Sequence, residues 1–202
     1  MDQITKERNK QEFIELLRST KREGIEDLIN WLSEKSDFFE APSSTIYHCN
    51  YPGGLCQHSL NVYYAARDFY ETYKKLSLPE KNVESIPMES IIITALLHDL
   101  CKANFYGTEM RNKKNEAGVW EKVPFYTVQD QFPYGHGEKS VYILNRFVRV
   151  SDDINLAIRF HMGFSEPKEI WNSPGKAMDM CPLVLALHEA DMESTHLLEE
   201  EN

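Results

Sequence analysis

The sequence lacks the long apolar segment that would place it in a membrane. No apolar stretch approaches the roughly 20 residues that a helix needs to cross the hydrocarbon core of a bilayer. The opening residues, MDQITKERNKQEF, are polar and contain no apolar stretch of the kind that signal peptides have. These absences predict a soluble protein of the cytoplasm.

The sequence also has few cysteines and no excess of basic residues. Its four cysteines form no CxxC pair and no zinc-ribbon spacing, so we expect free thiols in a reducing compartment. The formal net charge of −10 argues against binding to duplex nucleic acid, which requires a basic surface. A nucleotide or short oligonucleotide stays compatible with this charge, since a metal site supplies positive charge locally.

The chain does contain enough apolar sequence for one core. Its 202 residues are 42% hydrophobic and 27% charged, which is ordinary for a globular domain. A domain of this length buries roughly 70% of the surface of its unfolded chain. We expect a single domain over residues 1–202, with a helical N-terminal extension over residues 1–36 and the functional core over residues 37–197.

Apolar periodicity predicts an all-α architecture. Two short helices are predicted between residues 5 and 36, a long one from about residue 55, and another from about Pro87, with Ser85 as a possible cap. The run IIITALL in this fourth helix is apolar on all sides, which indicates a buried central helix. Three more helices are predicted at about residues 135–150, 152–162 and 181–200, the second of them capped by Ser151.

The segment around residues 104–128 differs from the rest. It contains glycine, asparagine and scattered aromatic residues, which predict a small β-hairpin with its tip near RNKKNEAG. The predicted fold is therefore a compact helical bundle with a hairpin insertion. The aromatic residues of the hairpin can wall a pocket and stack on a base, or they can simply pack the hairpin onto the bundle.

Several histidines and carboxylates fall where a simple core would place leucine. His98 and Asp99 directly continue the apolar central helix, and His161 and Asp191 share the apolar faces of later helices. A buried carboxylate without a partner is costly and would normally take up a proton. A divalent cation among these groups explains all of them, because imidazole nitrogen and carboxylate oxygen bind such ions. Taken singly, each residue can equally be a hydrogen-bonded core residue, and Asp191 can cap a helix or pair with Arg159.

Three segments resemble a known family: GGLCQHSLNV, ALLHDLCK and ALHEADMEST. From about residue 38 to residue 195 the chain resembles the HD-domain superfamily of metal-dependent phosphohydrolases, in which His, His-Asp and Asp follow one another on successive helices. The resemblance implies His58, His98, Asp99 and Asp191 as ligands of a first metal ion. It implies His136 and His161 as ligands of a second ion, with Asp99 bridging the two.

The segment FFEAPSSTIYHCNYPGGL is also similar to the HD domain of bacterial 3′-5′ exoribonucleases. Those proteins carry an OB-fold module before the HD domain, whereas the leading segment here is too short and too helical to form one. That family tends to have two adjacent histidines where this sequence has His48 and Cys49, so His48 is a candidate substrate-binding residue.

The resemblance implies hydrolysis of a phosphoester. Asp99 would hold both ions and take a proton from the attacking water, and Lys102, three residues later, would bind the phosphate. The alternative for Lys102 is a solvated helix end. Arg159 and His188 are further substrate-binding candidates, with a surface ion pair and core packing as their alternatives. Asn61 and Ser140 lie one turn from predicted ligands and can orient them.

The expected function is that of a dinuclear phosphodiesterase acting on a nucleotide or a short single-stranded oligonucleotide. The alternatives are a phosphomonoesterase of the nucleotidase type and a non-catalytic module that senses nucleotides or binds protein. The histidine-rich second site favours Mn, Fe, Co, Ni or Zn over Mg. No motif identifies the substrate, and the oligomeric state stays open. The acidic residues Glu199, Glu200 and Glu201 are expected to be a solvated end, with an interaction surface as the alternative.

Overall fold

The structure, a computed structural model, describes residues 1–199 and confirms an all-α bundle with a small hairpin insertion. The α-helices within these residues are α1 (Gln3–Ser19), α2 (Ile25–Glu34), α3 (Gly54–Tyr73), α4 (Met88–Leu97), α5 (His136–Asn145), α6 (Asp152–Phe160), α7 (Asn172–Met180) and α8 (Pro182–Glu193). The strands are β1 (Tyr106–Lys114) and β2 (Trp120–Val128), and a π-helical turn, Ser194–Leu198, follows α8.

Helix α4 lies at the centre of the bundle, as its apolar run predicts. All eight residues from Ser90 to Leu97 are buried. The helix contacts α1, α3, α6 and α8, so that apolar side chains surround it on every side. Removing one of its large side chains, as in Leu96→Ala, would cost about 2–5 kcal/mol because a cavity remains. The position of α4 fixes that of His98 and Asp99, two of the predicted metal ligands, which directly follow its C-terminal end.

The two N-terminal helices contribute to the same core as the later helices. Phe13 and Leu17 of α1 and Leu28 of α2 are completely buried. The ring of Phe13 lies 5.1 Å from that of Phe38, at the start of the irregular segment that leads to α3. The segment predicted as an extension therefore packs tightly on the part of the chain that carries the metal-ligand candidates.

The hairpin is antiparallel, and Tyr106 pairs with Val128 at its base while Lys114 pairs with Trp120 near its tip. The predicted position of the tip is thus confirmed. Most of its residues are exposed. The base is attached to the bundle, because the hydroxyl group of Tyr106 donates a hydrogen bond to the carbonyl oxygen of Ser43 (2.9 Å).

The predictions about helix ends have different outcomes. Ser85 does not cap α4, because the residue before this helix is Pro87, in an extended conformation, and the hydroxyl group of Ser85 donates to the carbonyl of Asn82. Ser151 is the N-cap residue of α6, as predicted, although its side chain makes no capping hydrogen bond. The last helix stops at Glu193 and continues as a π-helical turn, while residue 200 lies outside the described part of the chain.

Helix α7 was not predicted. Its sequence, NSPGKAMDM, contains proline and glycine, which are typical of loops. Pro174 is tolerated because it stands in the first turn, where backbone N–H groups have no partner within the helix.

Two predictions from composition can be compared with the structure. The four cysteines are free thiols, as predicted, and all four are buried. Among the described helices, none combines the length and the apolar character needed to cross a membrane.

Candidate metal centre

Five helices deliver the predicted ligands to one place. His58 stands in the second turn of α3, His98 and Asp99 follow α4, His136 begins α5, His161 follows α6, and Asp191 stands in α8. Helices α5 and α6 approach closely where Gly137 meets Arg159, since a Cβ atom at Gly137 would lie 2.3 Å from the carbonyl oxygen of Arg159. This close approach brings the rings of His136 and His161 to 5.0 Å from each other.

Four of the ligand candidates form a first group of donor atoms. Nε2 of His58 lies 3.2 Å from Oδ1 of Asp191 and 3.3 Å from Nε2 of His98. Oδ2 of Asp99 lies 3.3 Å from Nε2 of His98 and 3.7 Å from Nε2 of His58. Metal–ligand bonds of about 2.1 Å place neighbouring donor atoms roughly 3.0–3.4 Å apart, so this group has the size that a single ion requires.

The other oxygen of Asp99 faces a second pair of imidazoles. Its Oδ1 lies 3.0 Å from Nε2 of His136 and 3.8 Å from Nε2 of His161. The carboxylate therefore stands between two groups of donor atoms, one on each oxygen. The structure thus brings all six predicted metal ligands together, although His161 also lies close enough to His98 and Asp191 for these three residues to hold one ion.

The site histidines all turn Nε2 towards the centre and hold Nδ1 against another group. Nδ1 of His98 donates to the carbonyl of Ala95 (2.8 Å), and Nδ1 of His161 donates to the carbonyl of Ile158 (2.7 Å). Nδ1 of His136 lies 3.2 Å from Sγ of Cys101. A partner on Nδ1 selects the tautomer whose Nε2 can bind a metal, and this arrangement is typical of metal-binding histidines.

Two buried atoms at the centre have no hydrogen-bond partner among residues 1–199. They are Nε2 of His161 and Oδ1 of Asp99, which lie 3.8 Å apart; Oδ1 is also 3.0 Å from Nε2 of His136, but the two do not meet the geometry of a hydrogen bond. Burial of unpaired polar atoms costs free energy. A cation between them would remove this cost, and both residues are in the required form. Burial together with His98 and His136 lowers the pKa of His161 to about 3, which keeps its ring neutral.

The carboxylates of the site stay ionised. Burial disfavours the charged form of Asp99, but Lys102 and His98 outweigh it and hold the pKa of this carboxyl well below its usual range. For Asp191, burial is likewise outweighed by the hydrogen bond from His58, so the pKa of Asp191 is lowered.

His58 is protonated in the absence of an ion. Burial lowers the pKa of its imidazole, but the hydrogen bonds of His58 to Asp191 and Glu199 outweigh burial and raise this pKa to about 10. An ion bound there would replace the proton on Nε2, so binding is expected to release protons.

Lys102 lies beside the candidate metal centre. Its Nζ lies 2.7 Å from Oδ2 of Asp99, and its side chain lines the cavity next to the ligand candidates. Burial lowers the pKa of Lys102, but the charge of Asp99 outweighs it and raises the pKa above its usual range. The ammonium group is therefore charged, and of its three N–H donors only some are needed by Asp99.

A cavity of about 380 Å³ opens over these groups. Hydroxyl groups line one part of the cavity: those of Ser43, Ser44 and Thr45 in the loop before α3, and that of Thr195 after α8. Larger, mainly apolar side chains line the rest: Tyr106 and Val128 at the base of the hairpin, Met162 after α6, and Met192 in α8. The base of the hairpin thus forms part of the wall, whereas Trp120 near the tip is 65% exposed. A larger cavity of about 570 Å³ lies between α5 and α6, but it contains none of the six ligand candidates.

The three further substrate-binding candidates differ in placement. His48 lines the cavity, and its Nε2 is buried without a hydrogen-bond partner in the described part of the chain. Arg159 does not line it, because its guanidinium group pairs with Glu138 (2.5 Å) and Glu166 (2.6 Å). His188 also lies outside the lining, where its Nδ1 donates to the carbonyl of His161 (2.7 Å).

Ser140 and Asn61, the predicted orienting residues, both bond near the site. The hydroxyl group of Ser140 accepts a hydrogen bond from the backbone N–H of Cys101 (3.0 Å), between the HD pair and Lys102. Asn61 bonds to Glu199 rather than to His58 directly. Ser140 thus holds the turn that carries Asp99 and Lys102.

Glu199 was expected to be part of a solvated end, and this expectation is wrong. Its side chain is 1% exposed, and its carboxylate lies 3.0 Å from Nδ1 of His58. The sequence gives no signal for this contact, since 141 residues separate the two and Glu199 stands in a run of acidic residues. The neighbouring Glu200 and Glu201 lie outside the described residues.

The comparisons with known proteins agree with this geometry. Residues 55–195 match the family model of the HD domain, a range that begins just before His58 and ends just after Asp191. Proteins with this domain are generally metal-dependent hydrolases. No curated protein and no solved structure matches the chain.

Proposed function

The chain belongs to the HD domain family, and from this premise we propose that it is a dinuclear metal-dependent phosphodiesterase that acts on a nucleotide or a short single-stranded oligonucleotide. The observation that supports two ions rather than one is the position of Asp99. Its two oxygens face two different groups of imidazole nitrogens, at 3.3 Å from His98 and 3.0 Å from His136.

Divalent ions held at this site would make a nucleophile available at neutral pH, because metal binding lowers the pKa of a water molecule from 15.7 to about 7. His58, His98, Asp99 and Asp191 would hold the first ion, and His136 and His161 would share Asp99 to hold the second. This donor set contains four imidazoles, which favours Mn, Fe, Co, Ni or Zn over Mg.

The residues of the chain would orient the substrate and stabilise its charge. The charged Nζ of Lys102, beside the ligand carboxylate, would bind a phosphoryl oxygen and stabilise the charge that develops during attack. The unpaired Nε2 of His48 and the hydroxyl groups of Ser43, Ser44 and Thr45 line the cavity and offer further hydrogen bonds. The ligand candidates at the bottom of the cavity, such as His98 and Asp99, are buried, which would keep bulk water away from the reacting groups.

The choice of substrate class rests on the lining of the cavity. Tyr106, Val128, Met162 and Met192 provide an apolar wall next to the polar floor, which suits a ligand with a phosphate at one end and a flat apolar ring at the other. The net charge of −10 favours a small ligand over a long polyanion. A duplex or a membrane surface is therefore not proposed as a partner.

The test combines metal content with two chromogenic substrates. Protein purified without chelator would be analysed for metal per chain and assayed with bis-p-nitrophenyl phosphate and p-nitrophenyl phosphate. Two transition-metal ions per chain with cleavage of the diester are the expected result. One ion with cleavage of the monoester alone would replace the proposal with a nucleotidase. No ion and no turnover after addition of Mn²⁺ or Ni²⁺ would overturn the enzyme and leave a binding module.

A further inference from the structure

A chain of hydrogen bonds leads from helix α1 to the candidate metal centre. Nδ2 of Asn9 donates to Oε1 of Gln57 (2.6 Å), and Nε2 of Gln57 donates to Oδ1 of Asn61 (2.8 Å). Nδ2 of Asn61 donates to Oε1 of Glu199 (2.8 Å), and this carboxylate faces Nδ1 of His58 (3.0 Å). Three side-chain amides therefore point their donors in one direction, towards a single carboxylate.

The elements that carry this chain are far apart in sequence. Asn9 stands in α1 and is 4% exposed, while Gln57 and Asn61 are one turn apart on α3. Glu199 follows the π-helical turn Ser194–Leu198, which brings the end of the described chain back onto α3. A buried carboxylate is costly unless it is bonded, so the contacts of Glu199 must be satisfied together.

His58 is the site histidine whose Nδ1 faces a carboxylate. The corresponding atoms of His98 and His161 bond to neutral backbone carbonyls, and that of His136 faces a thiol. An ionised acceptor makes a stronger hydrogen bond than a neutral one and makes the opposite ring nitrogen a better electron donor. The carboxylate of Glu199 also accepts a hydrogen bond from Nδ2 of Asn61 (2.8 Å), so the backbone segment that carries it is anchored on α3 at two points.

We propose that Glu199 is a positioning residue of the metal centre, which keeps the proton of His58 on Nδ1 and so presents Nε2 to the first ion, and that the amides of Asn9, Gln57 and Asn61 hold this carboxylate in place. The inference rests on the proposed metal-dependent function. It makes the C-terminal segment part of the centre, although that segment supplies no ligand itself.

Two variants of Glu199 separate the effect of its charge from that of its hydrogen bond. Glu199→Gln keeps the shape and an acceptor oxygen but removes the charge, whereas Glu199→Ala removes both. Partners of metal ligands typically contribute 10–100-fold to metal affinity. Affinity for Mn²⁺, measured by titration calorimetry, is therefore expected to fall about 10–100-fold in Glu199→Ala, and by less in Glu199→Gln. Asn61→Leu should reduce it by a smaller factor, because the carboxylate remains but loses one donor.

The matched control is Glu193→Gln, which removes an exposed carboxylate at the end of α8. Long-range ¹H–¹⁵N NMR of the imidazole rings in the metal-free protein gives a second readout, because it reports separately whether Nδ1 and Nε2 of each ring carry a proton. Loss of the Nδ1-protonated signal of His58 in Glu199→Ala is expected, and the variant His58→Asn identifies that signal.

The outcomes distinguish this inference from the proposed function. If the unsubstituted protein binds no ion, the proposed function is overturned. If it binds ions and both Glu199 variants bind them equally well, with the imidazole signals unchanged, the positioning role is overturned and the metal site stands. Should Glu199→Ala fail to fold, Glu199→Gln still tests the role of the charge, because its side chain has the same shape.

Discussion

Sγ of Cys101 lies 3.2 Å from Nδ1 of His136 and 3.9 Å from its Nε2, the nitrogen that is 3.0 Å from Oδ1 of Asp99. The thiol is buried within the turn that carries Asp99 and Lys102. Cys101 therefore contacts the ring of His136, the proposed ligand of a second ion, through a weak sulfur contact, whereas Nδ1 of His58, His98 and His161 has an oxygen partner.

Replacing Cys101 should affect the second ion more than the first. In Cys101→Ala the ring of His136 loses its Nδ1 partner, so we expect about 10-fold weaker binding of one ion of the pair. In Cys101→Ser a hydroxyl group can still bond to Nδ1, and the loss should be smaller. Stepwise titration with Mn²⁺ measures both affinities. Equal weakening of the two ions would contradict the assignment of His136 to the second ion alone.

Substitution of Asp99 should remove both ions together. Asp99→Ala deletes the two oxygens that face the two groups of imidazoles, and it leaves the charge of Lys102 without its partner. We expect less than one ion per chain and a loss of turnover of at least about 100-fold, since even the outer partners of metal ligands contribute up to that factor. Elemental analysis and the diester assay check this. Retention of one tightly bound ion would argue against a bridging carboxylate.

Substitution of Lys102 should spare metal binding and reduce turnover. Lys102→Gln removes the charge beside the phosphate position, and loss of such a group typically costs about 10²–10³ in kcat. Metal content should stay at the level of the unsubstituted protein. Lys75→Gln, at an exposed position, is the control. A change in KM with kcat unaltered would indicate that Lys102 contributes to substrate binding but not to the reaction itself.

The contact of α5 with α6 should tolerate no side chain at Gly137. A methyl group there would lie 2.3 Å from the carbonyl oxygen of Arg159, so the helices must separate in Gly137→Ala. Such overpacking typically costs about 1–3 kcal/mol, and it would draw His136 away from His161. Urea unfolding and stepwise metal titration measure the two effects.

Gly175→Ala is the control for Gly137→Ala. Gly175 is also helical, but the nearest atom to its added Cβ would be 3.8 Å away, at ordinary contact distance. Because alanine favours a helix over glycine by about 1 kcal/mol, this variant should be as stable as the unsubstituted chain or more so. Equal destabilisation of both variants would show that crowding against α6 is not the cause.

The architecture was largely predictable because apolar periodicity reflects burial directly. The run IIITALL is apolar on all sides and forms the buried part of α4, and the polar segment with glycine and asparagine forms the hairpin tip. Helix α7 was not predicted, because its sequence contains proline and glycine, which are typical of loops. The N-cap of α6 at Ser151 was predicted, whereas the cap of α4 was not, since a local hydrogen bond from Ser85 to Asn82 decides it.

Four of the candidate ligands, His98, Asp99, His161 and Asp191, were predictable because their polarity conflicts with their apolar surroundings in the sequence, whereas His58 and His136 were implied only by the resemblance to the HD-domain superfamily. His98 and Asp99 at the end of a buried helix require a partner, whatever the rest of the fold. By contrast, the sequence could not assign Arg159 and His188, because a charged or aromatic polar residue on a half-buried face suits an ion pair, a packing contact or a substrate equally well.

The sequence by itself determined the helical bundle, its hairpin and the kinds of side chain that a metal ion would require, because burial and donor chemistry belong to individual residues and their spacing. Only the tertiary structure decided that the two oxygens of Asp99 face different histidines and that Glu199 reaches His58 across 141 residues. Such contacts join segments distant along the chain, and their geometry depends on the packing of whole helices. No local sequence pattern therefore predicts the geometry of these contacts.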